Sequence, residues 1–165
     1  MRTLTIVRHA KSSWDNPEIH DFDRPLNARG QRDAPTMGKH LKTLSFMPDH
    51  IVCSPARRAL TTATVLCEQI GFDSAGIERD DRVYEASLAQ LQTLIEQQDP
   101  QHHHVLVCGH NPGLESLCHL VAPGSITSLT TCNVVQYTLA IKDWPAFDYD
   151  CGTLQYHLRP KDISA

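Results

Sequence analysis

The sequence predicts an α/β fold, a three-layer sandwich with a mostly parallel central sheet flanked by helices. Three observations carry this. Short apolar runs alternate with longer segments whose apolar residues recur at helical spacing, in the order βαβα…βαββ. Two strand ends share one device, a polar residue followed by a proline that opens a helix, at Ser54-Pro55 and Asn111-Pro112. The length of 165 residues and a hydrophobic share of 41% suit one domain, residues 1–165, around a single core.

Thr3 to Val7 is the first strand, and it ends abruptly on Arg8-His9. Lys11 to Pro25 is polar and reads as a loop. Asn27 can cap a helix over Ala28 to Leu44, where Ala34, Met37, His40, Leu41 and Leu44 share a face. Pro35 falls inside that pattern, so it is expected to end the first turn or to bend the helix. Ile51-Val52-Cys53 is a second strand. Pro55 sits at a helix start, and Ala56 to Ile70 is strongly helical, closed by Gly71. Leu88, Leu91, Leu94 and Ile95 mark a further helix that stops before Pro100. Val105 to Cys108 is the third strand, followed by Gly109-His110, and Pro112 opens a helix with Leu114, Leu117, Leu120 and Val121 on one face. Val134 to Ile141 and Thr153 to Leu158 alternate as later strands.

The formal net charge of -4 disfavours a dedicated nucleic-acid binder, which would be basic. No apolar run approaches the length of a membrane span, and the first residues lack a charged-then-apolar leader pattern, so a cytoplasmic location without membrane association is expected. The six cysteines include no C-x-x-C pair and lie mostly in apolar runs, which reads as reduced core residues. His102-His103-His104 reads as a solvated turn before a strand, because no partner spacing accompanies it.

Three strands therefore end in chemistry-bearing residues: Arg8-His9, then Ser54-Pro55-Ala56-Arg57-Arg58, then Gly109-His110-Asn111-Pro112-Gly113. In an α/β sheet the carboxyl ends of the strands face the ligand crevice. Arginine offers a fixed fork of donors for a phosphate, and histidine is a nucleophile or acid–base group near neutral pH. Helix starts add unpaired N–H groups. The combination points to a phosphate as guest. A cysteine phosphatase is excluded, because its C-x5-R loop would need arginine where Ala59 and Leu114 stand.

These residues resemble the histidine phosphatase superfamily, with a phosphoglycerate mutase-like fold. The closer resemblance is to its small SixA-like phosphohistidine phosphatases. The shared motifs are Val7-Arg8-His9-Ala10-Lys11-Ser12, Arg24-Pro25-Leu26-Asn27-x-Arg29-Gly30, the Ser54 to Ala63 block and Gly109 to Glu115. The resemblance implies that His9 attacks phosphorus and becomes a phosphohistidine. It implies that Arg8 and Arg57 hold the phosphoryl oxygens, joined by a protonated His110. Arg24 is a further candidate for that shell, with an ion pair in its acidic loop as the alternative reading. Glu85, in Tyr84-Glu85-Ala86, is the residue offered as general acid; a solvated glutamate at a helix start is its alternative. No metal and no cofactor are implied. The wider family often shows Arg-His-Gly-Glu-Ser-x-x-Asn at the first motif, where this chain has Ala10, Lys11 and Asp15. The implied activity is removal of phosphate from phosphohistidine on a signalling or phosphotransfer protein. Hydrolysis of small phosphate esters such as sugar or nucleotide phosphates is the alternative, and a phosphate-binding module without turnover is a third.

Overall fold

A computed structural model describes residues 1–163. Its centre is a six-stranded sheet in the order β3-β2-β4-β1-β5-β6. The strands are β1 (Arg2–Arg8), β2 (His50–Cys53), β3 (Glu78–Arg79), β4 (His104–Gly109), β5 (Val134–Leu139) and β6 (Gly152–Leu158). β1, β2, β3 and β4 run parallel, while β5 and β6 are antiparallel additions at one edge. The helices are α1 (Ala28–Thr43), α2 (Arg57–Ile70), α3 (Leu88–Glu96) and α4 (Gly113–Val121).

The central strands are apolar on both faces, as a parallel sheet between helices requires. Their side chains divide with a period of two. Leu4, Ile6, Val52, Val105 and Val107 enter one core with Leu91, Leu94, Ile95, Leu114 and Leu117 of α3 and α4. Val7, Ile51, Cys53, Leu106 and Cys108 enter the other, with Ala34, Met37, Leu41, Ala63, Leu66 and Cys67 of α1 and α2. The cysteines are free, five of them buried and Cys151 half-buried.

Registration of the sheet places the site. Arg8 pairs with Gly109, and Cys53 pairs with Cys108, so β1, β2 and β4 end almost level. The backbone N–H of His9 donates to the Gly109 carbonyl at 3.1 Å, and that of Ser54 donates to the Cys108 carbonyl at 3.0 Å. The residues immediately after each strand therefore emerge side by side.

Several expectations need correction. α1 continues through Pro35 to Thr43, so the proline does not end the helix. The proline removes the donor that would serve the carbonyl of Gln31, an exposed residue, so the loss falls where water can compensate. The α2 helix begins at Arg57 with Ala56 as its N-cap, and α4 has Pro112 as its N-cap, so both prolines stand just before their helices. His104 belongs to β4 rather than a turn, with its Nε2 2.7 Å from Thr5 Oγ1. The two-residue β3 has too little sequence to carry a period-two pattern.

Candidate active site

His9 stands one residue beyond β1 and is buried, with 7% of its surface exposed. Its Nδ1 lies 2.7 Å from the carbonyl oxygen of Ala10. A carbonyl can only accept, so Nδ1 carries the ring proton and Nε2 keeps its lone pair. Burial, together with the charges of Arg58, Arg8 and Arg24, lowers the pKa of His9 to about 4, against the pull of the Ala10 bond. The ring is a neutral imidazole with a fixed tautomer at neutral pH, the form a nucleophile needs. The loop beyond it is pinned to α2: Ala10 N–H donates to Thr62 Oγ1 at 2.9 Å, and that hydroxyl donates to the carbonyl of Arg58 at 2.7 Å.

His110 follows β4 and faces His9, with ring centroids 5.2 Å apart. Its Nε2 is 2.7 Å from Ser54 Oγ, while its buried Nδ1 has no partner among the described residues. Burial, then the neighbouring His9 and the charge of Arg58, depresses its pKa to about 3. Enclosure of the ring, more than any one neighbouring charge, therefore works against the protonated His110 that the resemblance implies.

Three guanidiniums surround this pair. Arg8 Nη1 donates to the Leu129 carbonyl at 3.0 Å, and its buried Nε is unpartnered among the described residues. Burial lowers its pKa, with the charge of Glu115 opposing. Arg58 is buried and donates from Nη1 to the Asp21 carbonyl at 2.7 Å and from Nη2 to the Asp21 carboxylate at 3.0 Å. Its Nε is likewise buried without a partner among the described residues. Arg24 is buried, donating from Nη1 to Ser12 Oγ at 2.7 Å and from Nε to Asp21 at 3.1 Å. Arg24 is thus ion-paired with Asp21, and its charge also reaches His9.

Arg57 is not in this cluster. It is exposed and lines a separate surface depression with Leu60, Thr61, Thr64 and Glu68. The structure brings Arg58, not Arg57, to the cluster that the sequence analysis builds around Arg57. The cause is helical phase. Adjacent helical residues point about 100° apart. Arg58 lies four residues before Thr62 and eight before Leu66, both buried, whereas Arg57 shares its face with the outward Thr61, Thr64 and Glu68.

Asp21, in sequence only an alternative to Glu85 as general acid, organises the cluster by binding Arg24, Arg58 and Tyr84. Burial would raise its carboxyl, but hydrogen bonds from Tyr84 and Arg58, the charge of Arg58 and a bond from Arg24 outweigh that and hold it at about 2. Tyr84 Oη donates to it at 2.7 Å. Its ring packs edge-on to His110, with centroids 5.6 Å apart. A short 3-10 turn, Asp21–Asp23, delivers both Asp21 and Arg24. The spacing Asp21-x-x-Arg24 beside the Pro25-Leu26 motif was the available signal.

A cavity of about 430 Å³ opens beside His110 and Arg58, lined also by Asp21, Glu85, Ala86, Ser87 and Asn111 to Gly113. Glu85 is exposed at its edge with a backbone φ of 55°. His9 and Arg8 lie beyond His110 and do not line this cavity. Among the described residues no three His, Cys, Asp or Glu side chains gather as a metal site. No helix among them is long and apolar enough to cross a membrane. A neutral imidazole, a second histidine, two buried arginines and the half-buried Arg8 suit an anion that accepts a nucleophile at its centre.

Residues 4–122 match the model of the histidine phosphatase superfamily (branch 1). The chain belongs to that superfamily. An uncharacterized chloroplastic protein of Arabidopsis thaliana is 32% identical over 140 residues, covering 80% of this chain and 64% of its own length. The chain spans less than half the length of other curated relatives, 41% of an uncharacterized phosphatase, PhoE, of Bacillus subtilis among them. The fold superimposes on the structure assigned as phosphohistidine phosphatase SixA from Agrobacterium tumefaciens with a TM-score of 0.83 at 23% identity, covering 96% of this chain and 98% of that one. The mostly parallel α/β sandwich of this chain is thus the histidine phosphatase fold.

Proposed function

We propose that this chain, acting as a single domain over residues 1–165, is a metal-independent phosphatase that works through a phosphohistidine on His9. Its preferred substrate is phosphohistidine on a signalling or phosphotransfer protein. The observation that carries this is the bond from His9 Nδ1 to the Ala10 carbonyl, 2.7 Å long, which leaves Nε2 as a lone pair inside a cationic cluster. In the first step Nε2 forms a bond to phosphorus as the bond to the leaving group breaks. Arg8, Arg58, Arg24 and His110 bind the non-bridging oxygens and match their developing charge. In the second, water attacks phosphorus, the P–N bond to His9 breaks, and inorganic phosphate leaves. The guanidiniums supply the positive charge that a metal would otherwise bring.

The leaving group separates the two substrate classes. An alkoxide must be protonated as it departs, whereas a phosphoimidazole can arrive protonated near neutral pH. Glu85 is exposed and makes no side-chain hydrogen bond among the described residues, a weak setting for a positioned acid. That favours phosphohistidine. A cavity of about 430 Å³ with Glu85 on its edge supports the second reading, a small phosphomonoester. We place the activity in the cytoplasm, with neither nucleic acid nor membrane as partner.

The test is a substrate panel run with wild type and His9→Ala in parallel. Wild type should release phosphate from phosphohistidine proteins faster than from sugar or nucleotide phosphates. Quenched in mid-reaction, it should carry an acid-labile, base-stable phosphoryl group. The Ala variant should show neither. Turnover by His9→Ala within tenfold of wild type would defeat the nucleophile assignment.

A further inference from the structure

The loop after the nucleophile strand carries two aromatic side chains that the fold leaves in solvent. Trp14 is 70% exposed and Phe22 38%. Both are held by the residues around the phosphate cluster. The guanidinium carbon of Arg24 lies 3.5 Å from the centroid of the Trp14 ring. Phe22 meets Tyr84 edge-to-face at 5.2 Å, and Tyr84 meets His110. Trp14 therefore lies directly on one arginine of the cationic floor, and Phe22 is one side chain removed from His110. The same loop exposes Asp15, Glu18 and Asp23. A floor of buried arginines is thus bordered by aromatic rings and an acidic outer edge.

A small phosphate ester uses the floor and meets repulsion from that edge. A protein surface can use all three. Aromatic anchors already fixed in place lose little conformational entropy on docking, which is why such residues dominate binding energy at interfaces. We propose that Trp14 and Phe22 are the docking residues for a protein substrate, packing against apolar side chains beside its phosphohistidine, while Asp15, Glu18 and Asp23 face basic residues flanking it. The inference rests on the phosphohistidine reading and adds to it where discrimination between protein and free substrate resides.

The experiment compares wild type, Trp14→Ala, Phe22→Ala and an Asp15→Lys/Glu18→Lys variant. The substrates are histidine phosphotransfer domains phosphorylated with phosphoramidate, and free phosphohistidine. Inhibition by orthovanadate reports on the cationic floor. Each aromatic variant should raise KM for the phosphorylated domains about tenfold, with kcat, vanadate inhibition and turnover of free phosphohistidine within about threefold of wild type. The charge variant should raise the same KM and should not raise KM for free phosphohistidine, from which it removes the repelling edge. Equal losses on domain and free phosphohistidine, or weakened vanadate inhibition, would show Trp14 acting through Arg24 and overturn the inference. So would unchanged KM in every variant. Wild type active on free phosphohistidine but on no phosphorylated domain would overturn the docking inference alone. Wild type active only on phosphate esters would overturn the phosphohistidine reading, and the inference with it.

Discussion

Asp21 grips Arg58 at two points, accepting from Nη1 through its backbone carbonyl at 2.7 Å and from Nη2 through its carboxylate at 3.0 Å. The two terminal nitrogens are occupied within the protein, and the guanidinium plane is fixed before any ligand arrives. A donor held in place costs no reorganisation when charge develops on the phosphoryl group.

Arg58→Ala should therefore lower kcat/KM by about a hundredfold or more, the loss expected from removing one charged transition-state donor, roughly 2.7–4 kcal/mol. Arg57→Ala should stay within about twofold, since that side chain is exposed on the far side of the α2 start. Steady-state kinetics of the two variants on one substrate decide this. Comparable losses at both positions would misplace the phosphate site.

Histidine burial sets the pH dependence of stability. His9 and His104 are lowered to about 4, and His110 to about 3, with burial the leading cause in each. Unfolded histidines take up protons near pH 6.5. Between that value and the folded values the unfolded chain binds more protons, so stability rises with pH across this window. It is fully present above about pH 6.5 and is lost as pH falls toward about 4, at a rate on the order of 1 kcal/mol or more per pH unit. Urea unfolding at pH 7, 6, 5 and 4 should show midpoints falling steadily. A flat profile would mean that these rings are not buried as neutral groups. The acid limb of kcat/KM should likewise lie near pH 4 rather than 6.5, because His9 remains a free base down to that point.

Glu85→Gln separates the substrate classes. If the leaving group of the natural substrate is an imidazole, the substitution should slow hydrolysis of an alkyl phosphate far more than that of a phosphohistidine protein. General acid catalysis contributes typically about 10²–10⁴-fold, so the contrast should be large if Glu85 supplies the proton. No effect on either substrate would make Glu85 a surface residue. Equal effects on both would remove the leaving-group argument for phosphohistidine.

Gly30→Ala tests the support of the nucleophile loop. An added methyl would fall on the backbone carbonyl oxygen of Lys11, two residues beyond His9. That carbonyl also accepts from Asn27 N–H at 2.9 Å, which ties the loop to the start of α1. The collision is with backbone, so the loop must move. A stability loss of about 1–3 kcal/mol is expected from overpacking of this kind, with a fall in kcat larger than the rise in KM. Thermal unfolding and kinetics on the same preparation would measure both.

Much of this was legible in the sequence. The parallel core could be read because buried strands are continuous apolar runs and each is followed by a helix of clear period. The strand-end residues Arg8, His9 and His110 could be read because position after a strand fixes where a side chain emerges. Arg58 was legible too, since it stands at i−4 and i−8 from Thr62 and Leu66 on the buried face of α2. Asp21 and Tyr84 were not, because their roles depend on contacts 37 and 63 residues apart in the chain, and no local period records such a meeting. The neutral state of His110 was equally hidden. It depends on how deeply the ring is enclosed and on which cations surround it, and neither is a property of sequence neighbours.

The level ending of β1, β2 and β4 has a consequence for how this chain can vary. Because Arg8 pairs with Gly109 and Cys53 with Cys108, the sheet acts as a ruler that measures three segments to one height. A residue inserted in a loop is absorbed where the backbone is free, at a cost that grows only slowly with loop length. A residue inserted within β1 would shift every side chain beyond it to the opposite face and carry His9 some 3.3 Å past its partners. Descendants of this sequence can therefore gain or lose length between the strands while keeping their chemistry, and insertions or deletions inside the strands should be far rarer than substitutions at the same positions.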